Sequence, residues 1–204
     1  MKNLKLIFLG LGCMAALSLT SCLKDDDNNN NGLSQAQIAQ CVNAVRGSYT
    51  GKLVYYKTST DFDTVDVSWS IGADTMLVIN AFPAKAFAEI VSDNDLKNAL
   101  MESNTHGELK CYLGFYQYDT QVQFLLAPLQ VDFPVFYKDA THTLSLYFWT
   151  DSYSSGYKDT SSGAMEAMLV MAAAYLDNNE NKNYLNGMSQ TLASIPLKIT
   201  TLIK

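Results

Sequence analysis

Val65-Asp66-Val67-Ser68-Trp69-Ser70-Ile71 is the stretch whose pattern decides the fold. Every second residue is apolar and those between are polar or charged, the period of a strand with one face packed and the other wet. A sheet that is half solvated in this way is antiparallel, because parallel sheets are covered on both faces. Downstream, Gly72-Ala73-Asp74 predicts a turn into another strand over 75–80. Upstream, Val54, Tyr55 and Tyr56 mark a strand over 52–58, set off by the polar loop 59–63. Three strands joined by short turns predict a meander.

A helix precedes the meander. Ser34 and Gln37 stand as a capping box, Leu33 and Ile38 occupy the staple positions, and Gly47 follows the last turn, which predicts a helix over 35–46. Ile38, Cys41, Val42 and Val45 share one face of it. Beyond the meander, Pro83 opens a helical stretch over 84–91, and Ser92 or Asp93 caps another over 94–102. A hairpin follows, 108–118 with 121–127 around Asp119-Thr120. Pro134 confines 131–137 to an edge or a bulge. Residues 141–150 read as a strand, 151–159 as a polar loop and 195–203 as a terminal strand. Over 164–176, alanine, methionine, leucine and glutamate favour helix, whereas the surrounding sheet calls for a strand; the local preference points to helix. The expected class is α+β, mainly antiparallel sheet as a sandwich or partial barrel, with an N-terminal helix and two short crossover helices.

The N-terminus supplies location. Lys2 and Lys5, an apolar run over 6–19 and small residues before Cys22 form the three parts of a secretory signal, too short and interrupted for a span. Leu19-Thr20-Ser21-Cys22 resembles a bacterial lipoprotein box, which implies acylation of Cys22 and stable anchoring by more than one chain. Lys24-Asp25-Asp26 resembles the export signal of Bacteroidota surface lipoproteins, and the asparagine run to Gly32 is a flexible spacer. The expected organisation is signal 1–21, acylated tether 22–32 and one domain 33–204, on the outer membrane and facing outward.

With Lys2 and Lys5 gone, the 14 basic residues fall to 12 against 20 acidic, a net of −8. Such a chain repels nucleic acid. Apolar residues at 48% and charged ones at 17% predict a folded core. Signal, tether and domain layout, with Gly47-Ser48-Tyr49-Thr50-Gly51 and Asn80-Ala81-Phe82-Pro83, resemble single-domain surface lipoproteins of gut Bacteroidota catalogued as a domain of unknown function. The resemblance carries no catalytic residues.

Cys41 and Cys111 are left in the domain, open to a bridge or to a pair of unbonded buried thiols. Their phases, on the apolar face of the helix and in step with Leu109, Leu113 and Phe115, place both inward. His106 and His142 have no ligand-type spacing to each other or to cysteine, so neither metal nor cofactor is expected. Asp61, Asp63 and Asp66 lack the glycine and terminal glutamate of a calcium loop and read as a solvated turn. No nucleophile elbow is present. Tyr147, Trp149, Tyr153 and Tyr157 read either as a ligand platform or as rings filling the second face of a sheet. The functional expectation is a non-enzymatic binding or accessory module for a glycan, peptide or partner protein; the rivals are a structural or adhesive component and a hydrolase with scattered carboxylates.

Overall fold

The computed structural model describes residues 32–56, 61–150, 153–185 and 197–201. Cys22, Lys24, Asp25 and Asp26 lie outside the described residues. Helix α1 (Gln35–Val45) begins as its cap predicts: Ser34 Oγ accepts from the Gln37 amide, and Gln37 Oε1 accepts from the Ser34 amide at 2.9 Å. Strands β1 (Gly47–Tyr56), β2 (Phe62–Ile71) and β3 (Met76–Pro83) follow, then a 3₁₀ helix (Ala84–Ile90) and α2 (Asn94–Glu102). Asp93 caps α2 by accepting from the amides of Asp95 and Leu96.

The second half of the chain is strand: β4 (His106–Tyr118), β5 (Gln121–Pro128), β6 (Val131–Tyr137), β7 (Ala140–Trp149), β8 (Ser155–Asp159), β9 (Met165–Leu176) and β10 (Leu197–Thr201). The order across the sheet is β10-β1-β2-β3-β4-β5-β8-β9-β7-β6, all antiparallel, and β10 also pairs with β9. Strands distant in that order meet along β10, so the sheet has to curl; β7 and β6 continue past the seam and leave a partial barrel. Lys138 and Asp139, both at positive φ, make the two-residue turn between β6 and β7. In the ladder that this turn sets, odd-numbered residues of β6 bond to β7 and even-numbered ones point their N–H away. Pro134 is even-numbered, so its missing donor costs no bond and the edge strand tolerates it.

Two expectations give way. Residues 165–176 form a strand, not a helix. Pairing with β8, β10 and β7 outweighs a propensity difference of about 0.7 kcal/mol per residue or less. The end of the predicted polar loop, from Ser155 to Asp159, is strand β8.

The core joins α1, the 3₁₀ helix, α2 and the inward residues of β1 to β7 and β9. Cys41 and Cys111 are both buried in it as free thiols, so the bridge left open by the sequence is not formed. Burial pushes both thiols above their ordinary pKa. Among the largest buried rings, Phe133 of β6 packs on Phe82 and Phe87, with centroids 6.2 and 5.0 Å away. Gly107 permits this approach, since an added Cβ would lie 2.5 Å from Val131 Cγ1 and 3.0 Å from the Asp132 carbonyl oxygen. Lys158 reaches from β8 to the end of α1, where Nζ donates to the Ala44 carbonyl at 2.8 Å and lies 3.1 Å from the Tyr49 hydroxyl. A cation at a helix C-terminus meets the negative end of the dipole.

Candidate functional site

On the sheet face turned away from the core, the strand alternation leaves an open cleft of about 600 Å³. In β5, Val122 and Phe124 turn inward and Gln123 faces the cleft; in β9, Met165, Ala167 and Leu169 are buried while Glu166 and Met168 point the other way. β1 sends Val54 between the buried Leu53 and Tyr55. Phe62 at the start of β2 and Tyr116 at the β4 bulge complete the rim. These rim side chains are large, apolar and half exposed, at 51% for Phe62, 48% for Tyr116 and 39% for Met168. Between them the lining is Ser155 and the strand backbone at Gly156 and Ala167, whose side-chain positions face the core.

Gly156 is fixed by packing. A Cβ at this position would sit 2.6 Å from the Glu166 carbonyl oxygen and 2.6 Å from the Phe124 ring, so β8 can lie between β5 and β9 only with the position bare. The register then lines up Gln123 with Tyr157 and Tyr157 with Glu166. An amide, a phenol and a carboxylate therefore form a row across three neighbouring strands. Directly opposite side chains in such a row stand about 4.5–5.5 Å apart at Cβ.

Of the four rings expected to form a platform, Tyr157 lines the cleft. The others pair elsewhere: Tyr147 with Tyr175 at a centroid separation of 5.6 Å, and Trp149 with Tyr153 at 5.7 Å. Burial is the largest cause that raises the pKa of both Tyr147 and Tyr175, with nearby Glu180 adding to it, so these phenols stay protonated. Phe62 and Tyr116 escaped the sequence reading. The signal for Tyr116 was present as Tyr112, Tyr116 and Tyr118 along one strand, all of them exposed here.

His142 Nδ1 lies 2.7 Å from Asp177 Oδ2, whereas the Ser145 hydroxyl donates to Asp132 at 2.6 Å, so histidine and serine serve different acids. His106 is exposed at the start of β4, opposite Pro83. Asp61 accepts from the Phe62 amide, Asp63 from the Thr64 amide, and Asp66 pairs with Lys52 at 2.5 Å. No three acidic, histidine or cysteine side chains stand together as a metal-ligand set among the described residues. The cleft itself contains one carboxylate among its described lining residues, Glu166, where two-carboxylate glycoside hydrolysis needs a pair about 5–9.5 Å apart.

No helix among the described residues is long and apolar enough to cross a membrane. No curated protein and no solved structure matches the chain. A family model does match, over residues 44–176, well over half of the chain and from the end of α1 to the end of β9. The chain belongs to the DUF4840 family, a domain of unknown function.

Proposed function

We propose that this protein is a surface-anchored lipoprotein whose domain is a non-enzymatic binding module, with the cleft of Phe62, Tyr116, Tyr157 and Met168 as its ligand site. The observation that carries it is the cleft: a concavity of about 600 Å³, inside the size range of small-molecule sites, rimmed by half-exposed apolar side chains and crossed by a short row of polar groups. The same row, with its one carboxylate, favours binding over hydrolysis. Acylation of Cys22 supplies the membrane anchor and Lys24-Asp25-Asp26 the outward export.

A ligand screen by amide NMR on the full chain carrying Cys22→Ala tests the site. Saturable shifts at Ser155–Tyr157 and Glu166–Met168 are expected. Hydrolytic turnover that disappears in Glu166→Gln would place the protein among enzymes instead. Cys22→Ala should leave the detergent phase for the aqueous one. Replacing Lys24, Asp25 and Asp26 by alanine should protect the lipidated protein from protease added to whole cells.

A structural or adhesive role draws on one observation, the edge strand β6 with Phe136 67% exposed. Pro134 argues against it, because it removes the middle donor from the N–H groups that β6 points away from β7. Sedimentation of a monomer at high protein concentration is the expected result.

A further inference from the structure

We propose that the open side of β2 is a docking edge for an extended basic segment of a partner protein, which joins the sheet as an added strand at Asp66 and Ser68. This surface is separate from the cleft and stands without it. β2 is paired with β1 along its whole length, from Phe62 opposite Tyr56 to Ile71 opposite Gly47. β3 pairs with its other side at Ser70 and Ile71 and then departs, so from Phe62 to Trp69 that side carries no ladder among the described residues. The Gly72 amide donates to the Met76 carbonyl across the turn, which fixes the phase: even-numbered residues of β2 direct their N–H and C=O to the open side. Asp61 accepts from the Phe62 amide at 2.9 Å and Asp63 from the Thr64 amide at 2.8 Å. Asp66 and Ser68 follow, each presenting a donor and an acceptor.

Two other open sides suit an added strand less well. On β4 the Leu113 amide is held by the Thr75 carbonyl at 2.9 Å, and a bulge between Phe115 and Gln117 breaks the alternation beyond it. On β6, Pro134 removes the middle donor. β2 has an unbroken register and no proline. Strand addition takes its affinity from main-chain bonds and its specificity from alternate side chains. Here Thr64, Asp66 and Ser68 are exposed on the outer face, while Val65 and Val67 pack on the core. An added strand therefore lays apolar side chains beside the valines and polar ones beside Asp66. Charge sets the sign of the polar ones. Asp61, Asp63 and Asp66 are all exposed along this edge, and the chain carries a formal net charge of −6. Lysine opposite Asp66 is a favourable cross-strand pair, whereas a second copy of β2 sets aspartates against aspartates.

The test titrates the full chain carrying Cys22→Ala with the peptide Lys-Val-Lys-Val-Thr-Val-Lys, with its counterpart in which glutamate replaces lysine, and with one in which proline replaces valine. The basic valine peptide should shift the Asp66 and Ser68 amides saturably and slow their hydrogen exchange, with the other two inert. Ser68→Pro removes an open-side donor and leaves the bonds to β1, which come from odd-numbered residues, as Pro134 does in β6. It should keep the circular dichroism of the sheet and weaken binding by about tenfold or more. Asp66→Lys should weaken it likewise, and decides if Ser68→Pro does not fold. Binding that moves Ser155–Tyr157 and Glu166–Met168 with Asp66 and Ser68 unmoved overturns the edge and leaves the cleft a binding site. Slow exchange at Asp66 and Ser68 without peptide, with a dimer on sedimentation, gives the edge to a second copy and overturns the basic partner. Inert peptides throughout overturn the docking edge and leave the cleft to its own screen.

Discussion

The two halves of β9 differ on the face turned away from the core, although one strand makes both. From Met165 to Leu169 that face carries Glu166 and the 39% exposed Met168, and it opens into the cleft between β8 and β10. From Val170 to Leu176 it carries Val170, Ala173 and Tyr175, which are 3%, 4% and 7% exposed and lie outside the main core. Tyr147 on β7 packs against Tyr175 over the second half, while Ser155 and Tyr157 on β8 stand beside Met168 and Glu166 of the first. The neighbour strand, not β9, decides which half is covered. An apolar methionine left open beside Ser155 is a cost that the fold does not need for stability, and the proposed ligand site gives it a use.

The comparison breaks or holds first on a pair of truncations. Tyr175→Ala removes a buried ring and its stacking partner's support and should cost about 3 kcal/mol. Met168→Ala in the open half should stay within about 0.5 kcal/mol, as at other exposed sites. Urea denaturation of both measures the contrast, and equal losses would mean that the open half is structural. Gly156→Ala should cost about 1–3 kcal/mol, because a methyl group is forced against the Glu166 carbonyl and the Phe124 ring. It should also disturb ligand binding, since the floor of the cleft moves with β8.

Lys158→Met is a smaller perturbation on the other face of the same β8 strand. It leaves the Ala44 carbonyl and the Tyr49 hydroxyl without their ammonium donor, for about 1–2 kcal/mol. The ligand affinity should be unchanged, because Lys158 points to the end of α1 and Tyr157 to the cleft. A matching loss of affinity would show that the helix and the cleft communicate through β8.

Legibility in the sequence followed the same division. β2 announced itself by alternation, because its two faces meet different solvents; α2 did so by its cap. β9 did not, because both faces of its second half are buried, and an unbroken apolar run carries no period to separate strand from helix. β8 hid behind Gly156 and Lys158, a bare position and an inward charge that suit a loop in isolation and are explained only by Phe124 and α1. The cleft was visible in Tyr157 alone. Its other walls come from strands as far apart as Val54 and Met168, and side-chain faces brought together by sheet register leave no local signature.

The smallest effect concerns the aspartates that close the two ends of β9. Asp159, the last residue of β8 before the turn into it, accepts from the amides and hydroxyls of Ser161 and Ser162, which hold its pKa down to about 2, the Ser162 amide first. Asp177, in the turn after it, is lowered first by its hydrogen bond to His142 and then by the Thr143 amide. Both folded values are depressed, so each contribution to stability is complete above the unfolded value of about 3.9 and is lost as pH falls through the folded one. For Asp159 that window runs from about 3.9 down to about 2. Side-chain carboxyl shifts followed by NMR from pH 6 to pH 1.5 should show both groups titrating below the ordinary range. Salt then separates them. Asp159 is held by neutral N–H and O–H donors, whereas a coulombic attraction to His142 contributes at Asp177, and only a charge is screened. In 1 M sodium chloride the Asp177 midpoint should rise while that of Asp159 stays in place. Asp177 holding its midpoint in salt would show that hydrogen bonding alone closes both ends of the strand.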